Sequence, residues 1–214
     1  MSGERARVAI DFFADVSCPW CYVGWATLKH AAAQRKAQFA IGVAWRTFML
    51  SPELPPEGLD RKAYLTQRFA PEQLRGAHAA IEAAANAVGA PLNIDAAARI
   101  PNTVDAHRVI HWAANYGAAE GVIDALFHAY FVDGKDISAR DVLVAAAESA
   151  GLDPQEIAAK LATDEDRALV LGFHAAAAKL GIQGVPVALF NRRVPVMGAQ
   201  DEATYLGALE AAVA

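Results

Sequence analysis

Ser17-Cys18-Pro19-Trp20-Cys21 decides how the chain is read, because it stands where the short apolar run Val8-Ala9-Ile10-Asp11-Phe12-Phe13 gives way to helical spacing. Its two cysteines are the only ones among 214 residues. A run of that length and composition reads as a strand, and Pro19 suits the first position of a helix, where its missing N–H would have no partner anyway. Cys18 then falls at the N-cap. The first helical turn carries both sulfurs to one side, so the pair can close into a disulfide and reopen.

A helix N-terminus concentrates free N–H groups and the positive end of the helix dipole. At that position a thiolate is expected to be stabilised, with a pKa below the ~8.5 of a free cysteine. Cys18 is therefore read as the attacking nucleophile. Cys21, one turn further in, is read as the residue that resolves the mixed disulfide. Three plainer readings are weaker. A structural disulfide closing so short a loop removes little entropy from the unfolded chain. A zinc half-site lacks a second Cys-x-x-Cys or Cys/His cluster at ligand spacing, and two cysteines paired by chance would not need the strand-to-helix junction.

Outward from the motif, Trp25, Leu28 and Ala32 continue a helical stripe that ends near Ala37. Phe39, Ile41, Val43 and Trp45 then alternate with smaller residues, as in a strand covered heavily on one face. Strand, motif, helix and strand in that order open a thioredoxin-like βαβ unit. Beyond the proline-rich connector Ser51 to Gly58 no strand is expected before Val187. Helices are expected instead over Pro71–Val88, Asn102–Tyr116 and Ala118–Val132, each halted by a glycine just beyond. Ser138-x-x-Asp141 and Asp153-Pro154-x-Glu156 read as N-terminal capping signals of two more. A helix over Thr163–Leu180 follows. Val187–Phe190 and Val194–Met197, joined by Asn191-Arg192-Arg193, read as a hairpin, and Asp201–Val213 as a closing helix.

The fold class is thus α/β, a thioredoxin-like fold with a large all-helical insertion. Residues 1–50 and 163–214 form the thioredoxin-like domain and 51–162 the inserted helical domain. Hydrophobic residues make up 55% of the chain, but much of that is alanine, as in Ala83–Ala85 and Ala175–Ala178, which favours helix. A net charge of −5 without a basic cluster argues against nucleic acid or an anionic membrane as the main partner. No stretch approaches the ~20 apolar residues of a membrane span. Met1–Arg7 is polar and the run behind it leads straight into the motif, so no signal peptide is read and the expected compartment is the cytoplasm. Exposed dithiols stay reduced there, which makes a Cys-x-x-Cys a catalytic or sensing feature.

The chain resembles the DsbA-type thioredoxin superfamily, most closely its FrnE-like branch. The resemblance is carried by Asp15-Val16-Ser17-Cys18-Pro19-Trp20-Cys21-Tyr22-Val23-Gly24, by Asn102 to Arg108 with His111-Trp112, by Leu126 to Phe131, and by Gly181-Ile182-Gln183-Gly184-Val185-Pro186 with Gly198-Ala199-Gln200. It implies a dithiol–disulfide oxidoreductase whose helical insert covers the active-site face. It further implies that Pro186 is cis and packs against the dithiol, that the Val185 backbone before it is free to pair with substrate, and that Asn102-Thr103 faces the dithiol. Cys18, Cys21 and Pro186 are then the catalytic set, with Pro19, Trp20, Val185 and Asn102 around them. Expected partners are disulfide- or thiol-containing proteins or small molecules, the chain acting as monomer or homodimer. No cofactor is expected beyond the redox-active disulfide itself, with glutathione a candidate co-substrate.

Other polar residues carry plainer readings. His107 and His111 lie four apart on one helix face, but Arg108 stands where a metalloprotease helix has its Glu, so core bonding is favoured over zinc. Asn102-Thr103 reads equally well as a helix cap. Asp15 is read as a turn residue, with proton relay to the buried thiol as its alternative. Two rival functions stand beside the oxidoreductase. The kappa-class glutathione transferases and 2-hydroxychromene-2-carboxylate isomerases share the helical block but resemble serine-based sites, which two intact cysteines count against. A redox-sensing binding protein would use the same dithiol as a switch without turnover.

Overall fold

The computed structural model describes residues 5–214, so Met1–Glu4 of the polar leading stretch lie outside the described residues. β1 (Ala6–Ala14) is the central strand of a four-stranded sheet ordered β2-β1-β5-β6. β2 (Phe39–Thr47) runs parallel to it, β5 (Val187–Phe190) antiparallel, and β6 (Val194–Met197) closes the hairpin with β5. The parallel pair needs a crossover, and α1 (Pro19–Arg35) supplies it. The hairpin loop turns through positive φ at Asn191 and Arg192, and Asn191 Oδ1 accepts the Ala9 N–H, tying the turn to β1.

β2 is an edge strand, which alters its expected burial. The alternation Phe39, Ile41, Val43, Trp45 does not place one face deep in the core: the first, second and last are half-buried and Val43 is 36% exposed. Between β2 and β5 the chain is mainly helical: α2 (Arg61–Arg68), α3 (Pro71–Ala87), α4 (Val104–Ala114), α5 (Ala119–Phe131), α6 (Arg140–Ser149), α7 (Pro154–Leu161) and α8 (Arg167–Lys179). α9 (Glu202–Ala211) packs on α1. The main hydrophobic core runs without a break from Val8, Ile10 and Phe12 on the sheet through Trp25 and Leu28 to Val109, Leu126, Phe127 and Ile157 on the helices. Sheet and helical block therefore share one interior.

Four expectations are corrected. β3 (Leu59–Asp60) and β4 (Arg99–Ile100) form a two-residue antiparallel ladder inside the stretch expected to lack strands. α2 had no signal, because none of its residues is buried and no apolar stripe marks it. Ser138 does not cap α6; it bonds Asp136 Oδ1 through both its N–H and its hydroxyl, and Ala139 takes the N-cap. α8 begins at Arg167 rather than Thr163, because Asp166 sits at φ 58° and breaks the helix there.

Candidate active site

The site forms where β1 ends and α1 begins. Cys18 is the N-cap of α1, in extended conformation, with Pro19 next in the first turn. The Cys21 N–H points at Cys18 Sγ from 3.4 Å, so the open end of the helix presents its positive pole to that sulfur. Both cysteines are free thiols, and their burial is graded: Cys18 keeps 5% exposure, Cys21 none. The Cys21 thiol is pushed well above its ordinary pKa, first by burial and then by its hydrogen bond to Cys18 and the charge there. An inner thiol held protonated and an outer sulfur at a helix N-terminus give the two groups different chemistry. Pro19 and Trp20 between them are half-buried.

The segment before β5 closes over this helix end. Cys18 Sγ lies 3.9 Å from the Val185 carbonyl, and the Val185–Pro186 peptide is cis. A Cβ built on Gly24 would lie 3.0 Å from Pro186 Cγ and 3.3 Å from the buried Tyr205 hydroxyl. The Pro186 ring thus rests on α1 at the one residue without a side chain to keep it away. Three elements far apart in sequence meet here: the motif, the proline loop and, through Tyr205, α9.

Beneath the motif, Asp15 is 1% exposed and accepts from the Ser17 N–H at 3.0 Å, the Leu50 N–H at 2.7 Å and the Thr103 hydroxyl at 3.3 Å. His107 Nδ1 accepts from the Trp45 indole at 3.3 Å, which leaves its proton on Nε2, 3.7 Å from Asp15 Oδ1. That approach is too long for a hydrogen bond, so His107 acts on the carboxylate electrostatically. Burial opposes ionisation of Asp15, but His107 and the N–H groups of Leu50 and Ser17 outweigh it and hold its pKa below 3.8. Asp15 is therefore both the turn residue expected from sequence and a buried anion, and its charge adds to the upward push on Cys21.

The remaining residues divide. Asn102 donates to the Leu54 carbonyl and accepts from the Val104 N–H, so its hydrogen bonds serve the start of α4 and none reaches the dithiol. His107 and His111 do not act together: His107 is buried between Trp45 and Asp15, whereas His111 stacks edge-on against Phe173. Among the described residues no group of three or more His, Cys, Asp or Glu side chains is placed to hold a metal ion. Arg108 is 0% exposed and carries a structural load that sequence reasoning missed. Its guanidinium donates to the carbonyls of Lys160, Thr163 and Glu165 and to Asp105, knotting α4 to the turn before α8. Tyr205 was missed too, since only the folded chain brings it to the site, and of the Asn102-Thr103 pair it is Thr103 that reaches the site, through Asp15.

Comparison with known proteins bears on the family and the fold. The model of the DSBA-like thioredoxin domain family matches residues 9–210. A probable DsbA oxidoreductase from Streptomyces coelicolor is similar in structure with TM-score 0.84 and 29% identity, over 96% of this chain and 89% of that one. The cytosolic disulfide reductase DsbM from Pseudomonas aeruginosa, solved with GSH, gives TM-score 0.61 at 21% identity over 95% of each chain. A 2-hydroxychromene-2-carboxylate isomerase gives 0.69 at 16% identity, over 95% and 93%. At such low identity the last two likenesses speak for the fold alone.

Proposed function

The chain belongs to the DSBA-like thioredoxin domain family, and from that premise we propose that it exchanges dithiols and disulfides through Cys18 as nucleophile and Cys21 as resolving thiol. The observation that carries this reading is the helix end itself. Cys18 Sγ is the outer sulfur, faces the Cys21 N–H at 3.4 Å and lies 3.9 Å from the Val185 carbonyl. A substrate disulfide lying along the Val185 backbone would present one sulfur to Cys18.

Deprotonated Cys18 attacks that sulfur, the substrate S–S bond breaks, and the departing substrate sulfur takes up a proton. Cys21 then loses its proton and attacks Cys18 Sγ, which releases the second substrate thiol and leaves Cys18–Cys21 oxidised. Two electrons and two protons pass from the protein to the substrate. The reverse sequence oxidises a dithiol. Substrates are disulfides or thiols of proteins or small molecules, with glutathione as co-substrate, and the compartment is the cytoplasm. The Pseudomonas reductase, which shares the fold, is itself cytosolic and was solved with GSH, and both points are compatible with it.

The test equilibrates the reduced protein against glutathione redox buffers and counts free thiols by mass. A reversible two-electron couple is expected. A midpoint near ~−120 mV marks a disulfide donor and one near ~−270 mV a reductant. Cys18→Ser should show no exchange, and Cys21→Ser should accumulate a glutathione mixed disulfide. Equal trapping by both variants contradicts the assigned roles. Absence of any couple, with glutathione binding retained in Cys18→Ser, moves the isomerase-like reading to the front.

A further inference from the structure

Helix α8 shows solvent a surface that a free helix does not need. It buries a narrow stripe: Val170 packs with Met49 and Val104, His174 Nδ1 accepts the Met49 N–H, and Ala177 packs with Phe13 and Phe48. The rest of its surface is open and apolar, with its bulky side chains on the two flanks. Leu169, Leu171 and Phe173 are 43%, 38% and 39% exposed, Leu180 at the C-cap is 73% exposed, and no charged residue occurs between Arg167 and Lys179. A helix outward face normally carries charge, and contiguous exposed apolar surface marks a contact site.

Helical geometry places Ala168, Gly172 and Ala176 one turn apart along the middle of that face, opposite the buried stripe. A Cβ on Gly172 would touch nothing of its own chain, although glycine inside a helix costs about 1 kcal/mol against alanine. Gly76 in α3 and Gly207 in α9 face equally open space, but with Glu72 and Glu210 beside them on the outer surface. Only α8 joins the missing side chain to a charge-free apolar face. The smooth centre suits the close approach of another helix.

We propose that α8 is the interface of a homodimer, pairing antiparallel with α8 of a second copy across a two-fold axis at Gly172. The sequence is self-complementary about that point. The two-fold axis keeps each flank of the seam with its own mate: Gly172 meets Gly172 at the centre, Leu171 lies beside Leu171 of the second copy on one side, and Leu169 lies beside Phe173 and Ala176 of the second copy on the other. Small residues line the seam, and the flanks bring apolar to apolar. At the ends, Lys179 of each copy comes to the turn before the other's α8, where Asp164 and Glu165 pair with Arg167 and Lys160 of their own chain yet remain 89% and 46% exposed. The helix dipoles then oppose, which is also favourable. The helices would cross at the shallow angle of about 20°. Three turns of helix cover less than the ~800 Å² per partner of a standard interface, so the dimer dissociates in the micromolar range.

Sedimentation velocity of the reduced full chain across the micromolar range tests this. A reversible monomer–dimer equilibrium is expected. Gly172→Glu, which puts two carboxylates at the axis, should raise the dissociation constant at least about tenfold, while the melting temperature measured below the dissociation constant holds, since the site is exposed. Lys179→Glu should weaken the dimer several-fold, and adding Asp164→Lys should restore it. A wild type that stays monomeric overturns the proposal, also if the face captures an apolar peptide instead. A dimer indifferent to Gly172→Glu overturns it as well, and failure of the charge reversal to restore association overturns the antiparallel arrangement.

Discussion

Gly24→Ala sets two opposing effects against each other at the active site. Replacing glycine by alanine inside a helix is worth about 1 kcal/mol in propensity alone. Here the new Cβ would stand 3.0 Å from Pro186 Cγ, 3.3 Å from the Tyr205 hydroxyl and 3.6 Å from Ala199 Cα. Carbon atoms rest about 3.5–4.0 Å apart, so the Pro186 ring must retreat by about half an ångström. Overpacking a filled site costs about 1–3 kcal/mol. Tyr205 is fully buried and cannot swing out to make room, so the cost exceeds the gain. The balance is a loss of about 1 kcal/mol, seen as a fall of about 2–4 °C in melting temperature for a chain of this size. The larger effect is on exchange. A misplacement of 1 Å costs about a hundredfold in rate, so half of that is expected to cost about tenfold. Thermal melting and multiple-turnover reduction of a glutathione disulfide on the same preparation report both. If Gly24→Ala melts higher than wild type and turns over unchanged, Pro186 does not rest on α1 beside the dithiol.

Arg108→Met keeps the bulk but removes every donor: the Thr163 and Glu165 carbonyls lose the guanidinium, while Asp105 keeps Arg167 and the Lys160 carbonyl keeps the Thr163 hydroxyl. A loss of about 2–4 kcal/mol in urea unfolding is expected, and a loss below about 1 kcal/mol would mean water replaces the guanidinium without penalty. The pKa of His174 is lowered from 6.5, first by burial and then by the neighbouring His107, and its Nδ1 accepts the Met49 N–H. A lowered folded pKa gives stability that is present above 6.5 and drains away as pH falls below it, whereas Asp15 acts the same way only below 3.8. Melting temperature should therefore decline first on the acid side of 6.5, and His174→Asn, which keeps an acceptor but does not titrate, should flatten that decline; an unchanged profile in the variant rules the assignment out.

Much of the fold could be read from the chain because its signals are local. Pro19 after Cys18, Asp153 before Pro154, and Asn191-Arg192-Arg193 between two short apolar runs each set their own backbone, and the structure has a helix start or turn at each. What escaped depends on distance in sequence. The β3–β4 ladder pairs residues 39 and 41 apart, and α2 rests on no buried residue at all. The load on Arg108 is equally silent, since its partners are backbone carbonyls that no side-chain pattern announces. Ser138 misled because its capping pattern is local and the competing acceptor, Asp136, is more local still.

Asp15 shows why the helical block is tied to the chemistry of the dithiol. Its carboxylate takes one N–H from the motif at Ser17, one from the segment just beyond the edge strand at Leu50 and a hydroxyl from the start of α4 at Thr103. The His107 imidazole, also on α4, stands 3.7 Å away. Two of these four groups belong to the helical block. His107 in that block, with the Leu50 and Ser17 N–H groups, keeps Asp15 ionised, and an ionised Asp15 makes it harder for Cys21 to lose its proton. A shift of α4 would therefore reach the resolving thiol without touching either cysteine: weaker donation to Asp15 raises its pKa, and a neutral Asp15 removes its share of the upward push on Cys21. The proton affinity of the inner thiol is thus set in part by a helix whose first residue is 83 positions further along the chain. In this fold the helical block is an electrostatic part of the site as well as a wall around it.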